Sequence, residues 1–152
     1  MDRKSGVLMH ISTLPGEFSC GSFGETAKKF IDFIKECGFS YWQVLPFCMT
    51  DECNSPYKSY STFAGNPYFV DLNKLFKNGL INKEELDENR QLTPYVCEYE
   101  RLLKERMNLL IKVSSRVQNK DEIEKYIEEN SYLKKVCEFM ALKNANNEKP
   151  WY

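Results

Sequence analysis

The sequence is short of the residues that most often announce chemistry. It has one histidine, His10, and none of its six cysteines stands in a Cys-x-x-Cys pair. Zinc therefore finds few ligands, and neither a metal nor an organic cofactor is expected. No apolar run approaches the roughly 20 residues that span a bilayer. The opening Met1-Asp2-Arg3-Lys4-Ser5-Gly6 leads into only a handful of apolar residues, too few for a signal peptide. Excess charge of either sign is also missing. Lys and Arg number 21 against 22 Asp and Glu, a net charge of −1, so there is no electrostatic case for nucleic acid or an anionic membrane as partner. No internal repeat or low-complexity tract interrupts the chain. The cysteines at 20, 37, 48, 53, 97 and 137 read as scattered buried thiols, and the expected setting is a reducing, cytoplasmic one.

What the sequence does have is a concentration of aromatics in one irregular stretch. After Tyr41-Trp42-Gln43-Val44-Leu45-Pro46 comes a segment rich in Ser, Asn, Gly, Pro and Tyr that runs to Asp71. A loop longer than about a dozen residues is usually functional or disordered. Disordered segments are poor in aromatics, whereas this one carries Phe47, Tyr57, Tyr60, Phe63, Tyr68 and Phe69. It reads as an ordered loop that forms part of a binding surface.

Around it the chain reads as α/β. Gly6 to Ile11 is a continuous apolar run, as in a strand buried on both faces of a parallel sheet. A helix is expected from Glu25, with Ala27, Phe30, Ile31 and Ile34 on one buried face and Gly38 as its left-handed C-terminal cap. A second strand over Tyr41 to Leu45 completes a βαβ unit, which requires a parallel pair. In such folds ligands gather beyond the carboxyl ends of the strands. The segments leaving those ends are residues 10–21 and 46–70.

Residues 76–152 have a helical texture. Helices are expected over Lys83 to Glu88 and over Glu98 to about Val117, the second with Leu103, Met107, Leu110 and Ile111 on one stripe. Another runs over Glu122 to Glu129, capped by Asp121 with Glu124 completing a capping box. A last helix follows Ser131, with Leu133, Val136, Cys137, Met140 and Ala141 on its apolar face. Two parallel strands cannot complete a sheet, and a closed (β/α)₈ barrel needs about 250 residues. The expectation is therefore the front part of a longer chain.

Several blocks in order carry a resemblance. They are Gly6-Val7-Leu8-Met9-His10 with Leu14-Pro15-Gly16, then Tyr41-Trp42-Gln43-Val44-Leu45-Pro46, Ser55-Pro56-Tyr57, and Ala64-Gly65-Asn66-Pro67-Tyr68 with Asp71. Over residues 6–75 the chain resembles the N-terminal segment of the 4-α-glucanotransferases, the amylomaltases or disproportionating enzymes of glycoside hydrolase family 77. The closing Lys149-Pro150-Trp151 resembles the family's return toward its barrel. The resemblance implies residues 1–75 as the start of a (β/α)₈ TIM barrel, its first two parallel strands, and residues 76–152 as a helical insertion. It implies transfer of α-1,4-glucan segments between maltooligosaccharides with retention. That mechanism uses a nucleophilic carboxylate and an acid/base carboxyl about 5–5.5 Å apart, on later strands, so no catalytic residue is expected in this chain.

The partner so implied is a maltooligosaccharide or starch-derived α-1,4-glucan. Tyr57 matches the tyrosine that stacks on the glucose beside the scissile bond, with Ser55, Pro56 and Asn66 beside it and His10 and Tyr68 as weaker site residues. An aromatic ring suits the apolar C–H face of glucose, and polar groups suit its hydroxyl rim. Each of these residues also has a plainer reading: packing for Tyr57, a turn cap for Asn66, a hydrogen-bonded structural role for His10, and for Asp71 a helix cap. The first loop departs from the family's Tyr-Gly-Ile-Gly-Asp-Leu-Gly run, reading Phe18-Ser19-Cys20-Gly21-Ser22-Phe23-Gly24. The stretch Met49-Thr50-Asp51-Glu52-Cys53 is altered as well. Rival readings are a non-catalytic glucan-binding module and a helical interaction protein.

Overall fold

A computed structural model describes residues 3–93, 95–147 and 149. The expected return at Pro150-Trp151 lies outside the described residues. The two strands, β1 (Gly6–Leu8) and β2 (Tyr41–Gln43), are parallel, with Gly6 opposite Tyr41, Val7 opposite Trp42 and Leu8 opposite Gln43. Both are shorter than the apolar runs that announce them. The Met9 N–H still donates to the Gln43 carbonyl at 3.0 Å, and the Trp42 indole N–H donates to the Met9 carbonyl at 2.8 Å.

Helix α1 (Glu25–Glu36) connects the strands and ends at Cys37 and Gly38. Gly38 has φ +81°, the left-handed conformation that favours glycine. Its N–H donates to Lys35 and that of Phe39 to Ile34, both at 3.0 Å, which is the paired bonding of a Schellman cap. The expected C-cap is in place. The expected double burial of the strands is not, because α1 covers one face only. There Phe30 packs edge-on to Trp42 at 4.9 Å, while on the other face Leu8 is 59% exposed and Tyr41 is exposed too. Ile31 is also exposed, so the buried side of α1 reduces to Ala27 and Ile34, with Phe30 half-buried.

Beyond the long loop lie α2 (Leu72–Lys77) and α3 (Lys83–Glu88), the latter spanning the residues the sequence suggests. Asn82 and Glu85 close a capping box on α3, each side chain accepting from the other's backbone N–H at 2.8 and 3.0 Å. One helical rod follows, built of α4 (Tyr99–Arg101), a π-helical stretch (Leu102–Arg106) and α5 (Met107–Arg116). Its buried residues are Leu102, Arg106, Leu109 and Val113. Leu103 and Ile111, expected inside, are exposed, while Met107 and Leu110 lie at the margin. The buried series is the neighbouring i, i+4, i+7, i+11 row, disguised in the sequence by the charge of Arg106.

The core has two parts, and the rod belongs to both. The first contains Ile11, Leu14, Cys20, Ala27, Phe69 and Leu102. The second contains Phe18, Leu72, Ile81, Leu86, Leu109 and Val113. Each cluster joins residues from before and after position 75, so the first helices of the C-terminal half are packed into the N-terminal half. Gly21 sits where the first loop crosses β1's exit. A Cβ there would run into the Ile11 carbonyl oxygen, so no larger residue fits without moving backbone.

The chain finishes with the hairpin α6 (Lys120–Glu129) and α7 (Tyr132–Ala145). Asn119, not Asp121, caps α6, its side chain accepting from the Glu122 N–H at 3.4 Å. Asp121 instead stands in the first turn, where a negative charge suits the helix dipole. On α7, Leu133, Val136 and Met140 are half-buried as expected, but Cys137 and Ala141 are exposed. Among the described residues no helix is long and apolar enough to cross a membrane.

Candidate functional site

Parallel pairing sends both strands out at the same end, and His10 ties the two exits together. Its Nε2 lies 3.3 Å from the Pro46 carbonyl and its Nδ1 2.8 Å from the Ser12 hydroxyl. The Ser12 N–H also donates to Nδ1, at 3.4 Å. This pattern fixes the tautomer with the proton on Nε2, donated to Pro46. Burial against Phe47 and Phe69, with ring centroids 6.0 and 5.3 Å away, holds the imidazole below its ordinary pKa, only partly opposed by the Pro46 bond. His10 is thus a neutral bridge with both nitrogens occupied.

From Pro46 the long loop folds back on itself as a two-legged projection. Cys48 pairs with Gly65, and Thr50 with Ser59, as antiparallel bridges. Between the legs, the Asp51 N–H donates to the Lys58 carbonyl at 3.2 Å, and the Asp51 carboxylate meets the Lys58 ammonium at 2.6 Å. The Lys58 hydrogen bond is the main reason the Asp51 carboxyl stays below the usual carboxylate range. Beyond this clamp a turn closes from Lys58 N–H to the Ser55 carbonyl at 3.1 Å, and the Ser55 hydroxyl accepts from the Tyr57 N–H at 3.4 Å. Ser55, Pro56 and Tyr57 therefore share the tip of a braced loop, and the Tyr57 residue is 74% exposed.

The other sequence-selected residues lie at the base. Asn66 is buried, its carbonyl oxygen accepting from the Tyr68 N–H at 3.0 Å and its amide donating to the Cys48 carbonyl at 3.4 Å. It caps a short 3₁₀ turn, Pro67–Phe69. Tyr68 is half-buried and packs against the first core. Asp71 caps α2, accepting from the Asn73 N–H at 3.0 Å. The structure thus groups Ser55, Pro56 and Tyr57 at the tip, and places His10 and Asn66 on the 46–48 segment beneath it.

Asp51, Glu52 and Cys53 bring their donor atoms within 4.8 Å of one another. The Lys58 ammonium already supplies the positive charge at Asp51, so the cluster is answered from within the protein.

Two features escape the sequence reading. Arg106, 2% exposed, donates to the carbonyls of Phe18 at 2.7 Å, Tyr68 at 3.1 Å and Val70 at 3.4 Å. It pins the ends of both exit loops to the helical rod. An arginine inside the apolar row Leu102, Leu109, Val113 is the signal that would have found it. The cysteines also divide: Cys20 is buried, Cys48 and Cys97 are half-buried, and Cys37, Cys53 and Cys137 are exposed. The six are not uniformly interior thiols.

Comparison with known proteins fits this geometry to one family. The family model described as 4-alpha-glucanotransferase matches residues 9–152. A 4-alpha-glucanotransferase of Clostridium butyricum is 40% identical over 94% of this chain and 30% of its own length. One from Streptococcus pneumoniae is 38% identical over 98% of this chain, again 30% of its own length. The amylomaltase from Streptococcus agalactiae, solved in complex with acarbose, superposes with a TM-score of 0.90 at 33% identity. That match covers 97% of this chain and 31% of the amylomaltase. The chain spans about 30% of the length of the curated relatives it matches.

Proposed function

The chain belongs to the 4-alpha-glucanotransferase family, and from that membership we propose that it builds one wall of an α-1,4-glucan site at the mouth of a (β/α)₈ barrel. In this reading β1 and β2 are the first two barrel strands, and residues 76–152 are a helical insertion rooted in the barrel by the α4–α5 rod. The reaction served is transfer of an α-1,4-glucan segment between maltooligosaccharides by retaining double displacement. Its nucleophile and acid/base carboxyls stand about 5–5.5 Å apart and are not among these residues. Asp51 is bound to Lys58 and Asp71 to the start of α2, which leaves both to structural work.

The observation that carries the proposal is Tyr57: a large ring left bare on a loop whose legs are bridged and clamped. Burying such a ring on the C–H face of glucose removes apolar surface from water at little ordering cost, because the loop is already fixed. Ser55 presents a hydroxyl beside it for the sugar's rim. Asn66, with both amide atoms engaged by backbone, and His10, with both nitrogens engaged, hold the base of that loop. The amylomaltase of S. agalactiae binds acarbose, and an acarbose-like oligosaccharide is the ligand this wall would accept.

Titration of the chain with maltotriose or acarbose, followed by tyrosine-selective NMR shifts, tests the reading. Tyr57→Ala should weaken binding by on the order of 1 kcal/mol, about fivefold, while leaving the melting temperature unchanged. Undiminished affinity in that variant would remove Tyr57 from the site. Incubation with maltotriose should release no glucose from these 152 residues, and turnover would place the reacting carboxylates here after all.

A further inference from the structure

The region where the first loop meets the start of α4 holds a chemistry that the glucan reading does not use. The Glu98 N–H donates to the Ser19 carbonyl at 2.8 Å, and the Ser19 hydroxyl donates to Glu98 Oε2 at 3.1 Å. This pairing sets the next residue of one segment beside the preceding residue of the other. The thiols of Cys20 and Cys97 neighbour each other, with the Tyr99 hydroxyl beside Cys97, and the Cys20 thiol donates to the carbonyls of Gly21 at 3.2 Å and Tyr68 at 3.5 Å. Both cysteines line a cavity of about 340 Å³ that they share with Ser12, Leu14 and Gln91.

Arg106 lies close by. Its hydrogen bonds go to three neutral carbonyls, and its Nε has no partner. A thiolate formed at Cys97 would feel its positive charge. Stabilising a thiolate beside a buried guanidinium is the arrangement that makes a cysteine reactive.

We propose that Cys97 and Cys20 form a thiol–disulfide exchange site that takes a small disulfide of the glutathione class. Cys97, half-buried, is the more accessible of the two thiols and the attacking group, whereas Cys20 is 7% exposed. Hydrogen bonding from Cys20, assisted by the Tyr99 hydroxyl and the charge of Arg106, draws its thiol below the ordinary value against the effect of burial. Cys20, pushed well above the ordinary value by the same bond and by burial, keeps its proton and resolves the intermediate. The Cys97 thiolate attacks one sulfur of oxidised glutathione, the sulfur–sulfur bond breaks, and one glutathione thiolate leaves to be protonated by water. Cys20 then attacks the Cys97 sulfur, its proton passing to the second glutathione sulfur as that group is expelled. Two protein thiols and one glutathione disulfide become one protein disulfide and two glutathione thiols, and excess reduced glutathione reverses both steps. The product would tie the first exit loop covalently to the start of α4. The proposal is independent of whether Tyr57 binds sugar.

Peptide mapping of the intact chain after exposure to oxidised glutathione tests it, with exposed Cys37, Cys53 and Cys137 as internal controls. Free Cys20 and Cys97 should disappear together, one for one, into a single cross-linked peptide pair. In Cys20→Ser the glutathione adduct on Cys97 should persist, and in Cys97→Ser Cys20 should stay a free thiol. The rate of Cys97 alkylation by iodoacetamide in the untreated wild type should rise with pH about a midpoint below that of a short cysteine peptide. The proposal is overturned if Cys97 stays free while the exposed cysteines are modified, if Cys20→Ser traps no adduct there, or if that midpoint is not lowered. Should either serine variant fail to fold, the wild-type mapping and the alkylation profile decide the matter alone.

Discussion

The region from β1 to α5 and the α6–α7 hairpin hold their shapes on different terms. Among the described residues every buried hydrophobic one, from Ile11 to Val113, belongs to the first region. Neither α6 nor α7 contributes a buried residue. The hairpin instead leans on the projecting loop: Phe139 tilts against Tyr60 at 5.9 Å, Tyr132 against Phe63 at 5.7 Å, and the Lys143 ammonium sits 5.0 Å from the Tyr60 ring centre. Isolated helices of 10 or 14 residues are marginal in water, so the hairpin depends on its own two halves and on that loop. The contrast teaches that helical pattern and core membership are separate properties. It also places the least buried part of the molecule against the loop that carries Tyr57.

The contrast can be broken most directly at Leu102, 1% exposed and shared between the rod and the first core. Leu102→Ala should cost about 2–5 kcal/mol of global stability, read as a lower denaturation midpoint. A loss as small as that of an exposed leucine would mean the two cores do not govern folding. A second, smaller effect lies on the Glu85–Arg116 pair, which clamps α3 to the end of α5 through two bonds of 2.6 and 2.7 Å. The Arg116 bonds, then the Asn82 N–H, push the Glu85 pKa down from 4.5 to about 2. A depressed folded-state pKa contributes stability above the unfolded value, and that contribution is lost as pH falls through the folded one. Wild type should therefore be more stable than Glu85→Gln at neutral pH, and thermal melts should show the difference shrinking between pH 4.5 and about 2. The smallest effect is expected from Phe139→Ala on the half-exposed hairpin, about 1 kcal/mol or less. Hydrogen exchange should quicken in α6 and α7 while the amides of the α4–α5 rod stay protected. Equal loosening of both regions would erase the distinction.

Much of the front region is legible in the sequence because local rules and tertiary structure agree there. Gly38 announces a left-handed cap and adopts one, and Asn66 and Asp71 stand directly before short helical turns and cap them. The parallel pairing follows from an apolar run, a helix-length connection and a second run. The tip of the projecting loop stands out in the sequence through its Ser55-Pro56-Tyr57 triplet, and the structure leaves the tyrosine ring bare. What was not legible depends on partners distant in sequence. Arg106 looks like a solvent residue until three carbonyls from other segments converge on it, and taking it for one moves the buried row of the rod onto the wrong residues. Cys20 and Cys97 become neighbours only through the Ser19–Glu98 pairing. Asp121 resembles a cap as strongly as Asn119 does, and nothing local decides between them.

The guanidinium of Arg106 acts as a yoke. Because one planar group grips the first exit segment at Phe18 and the second at Tyr68 and Val70, neither rim can shift without dragging the rod, and through the rod the opposite rim. A ligand pressing on one side of the opening would therefore meet the stiffness of both.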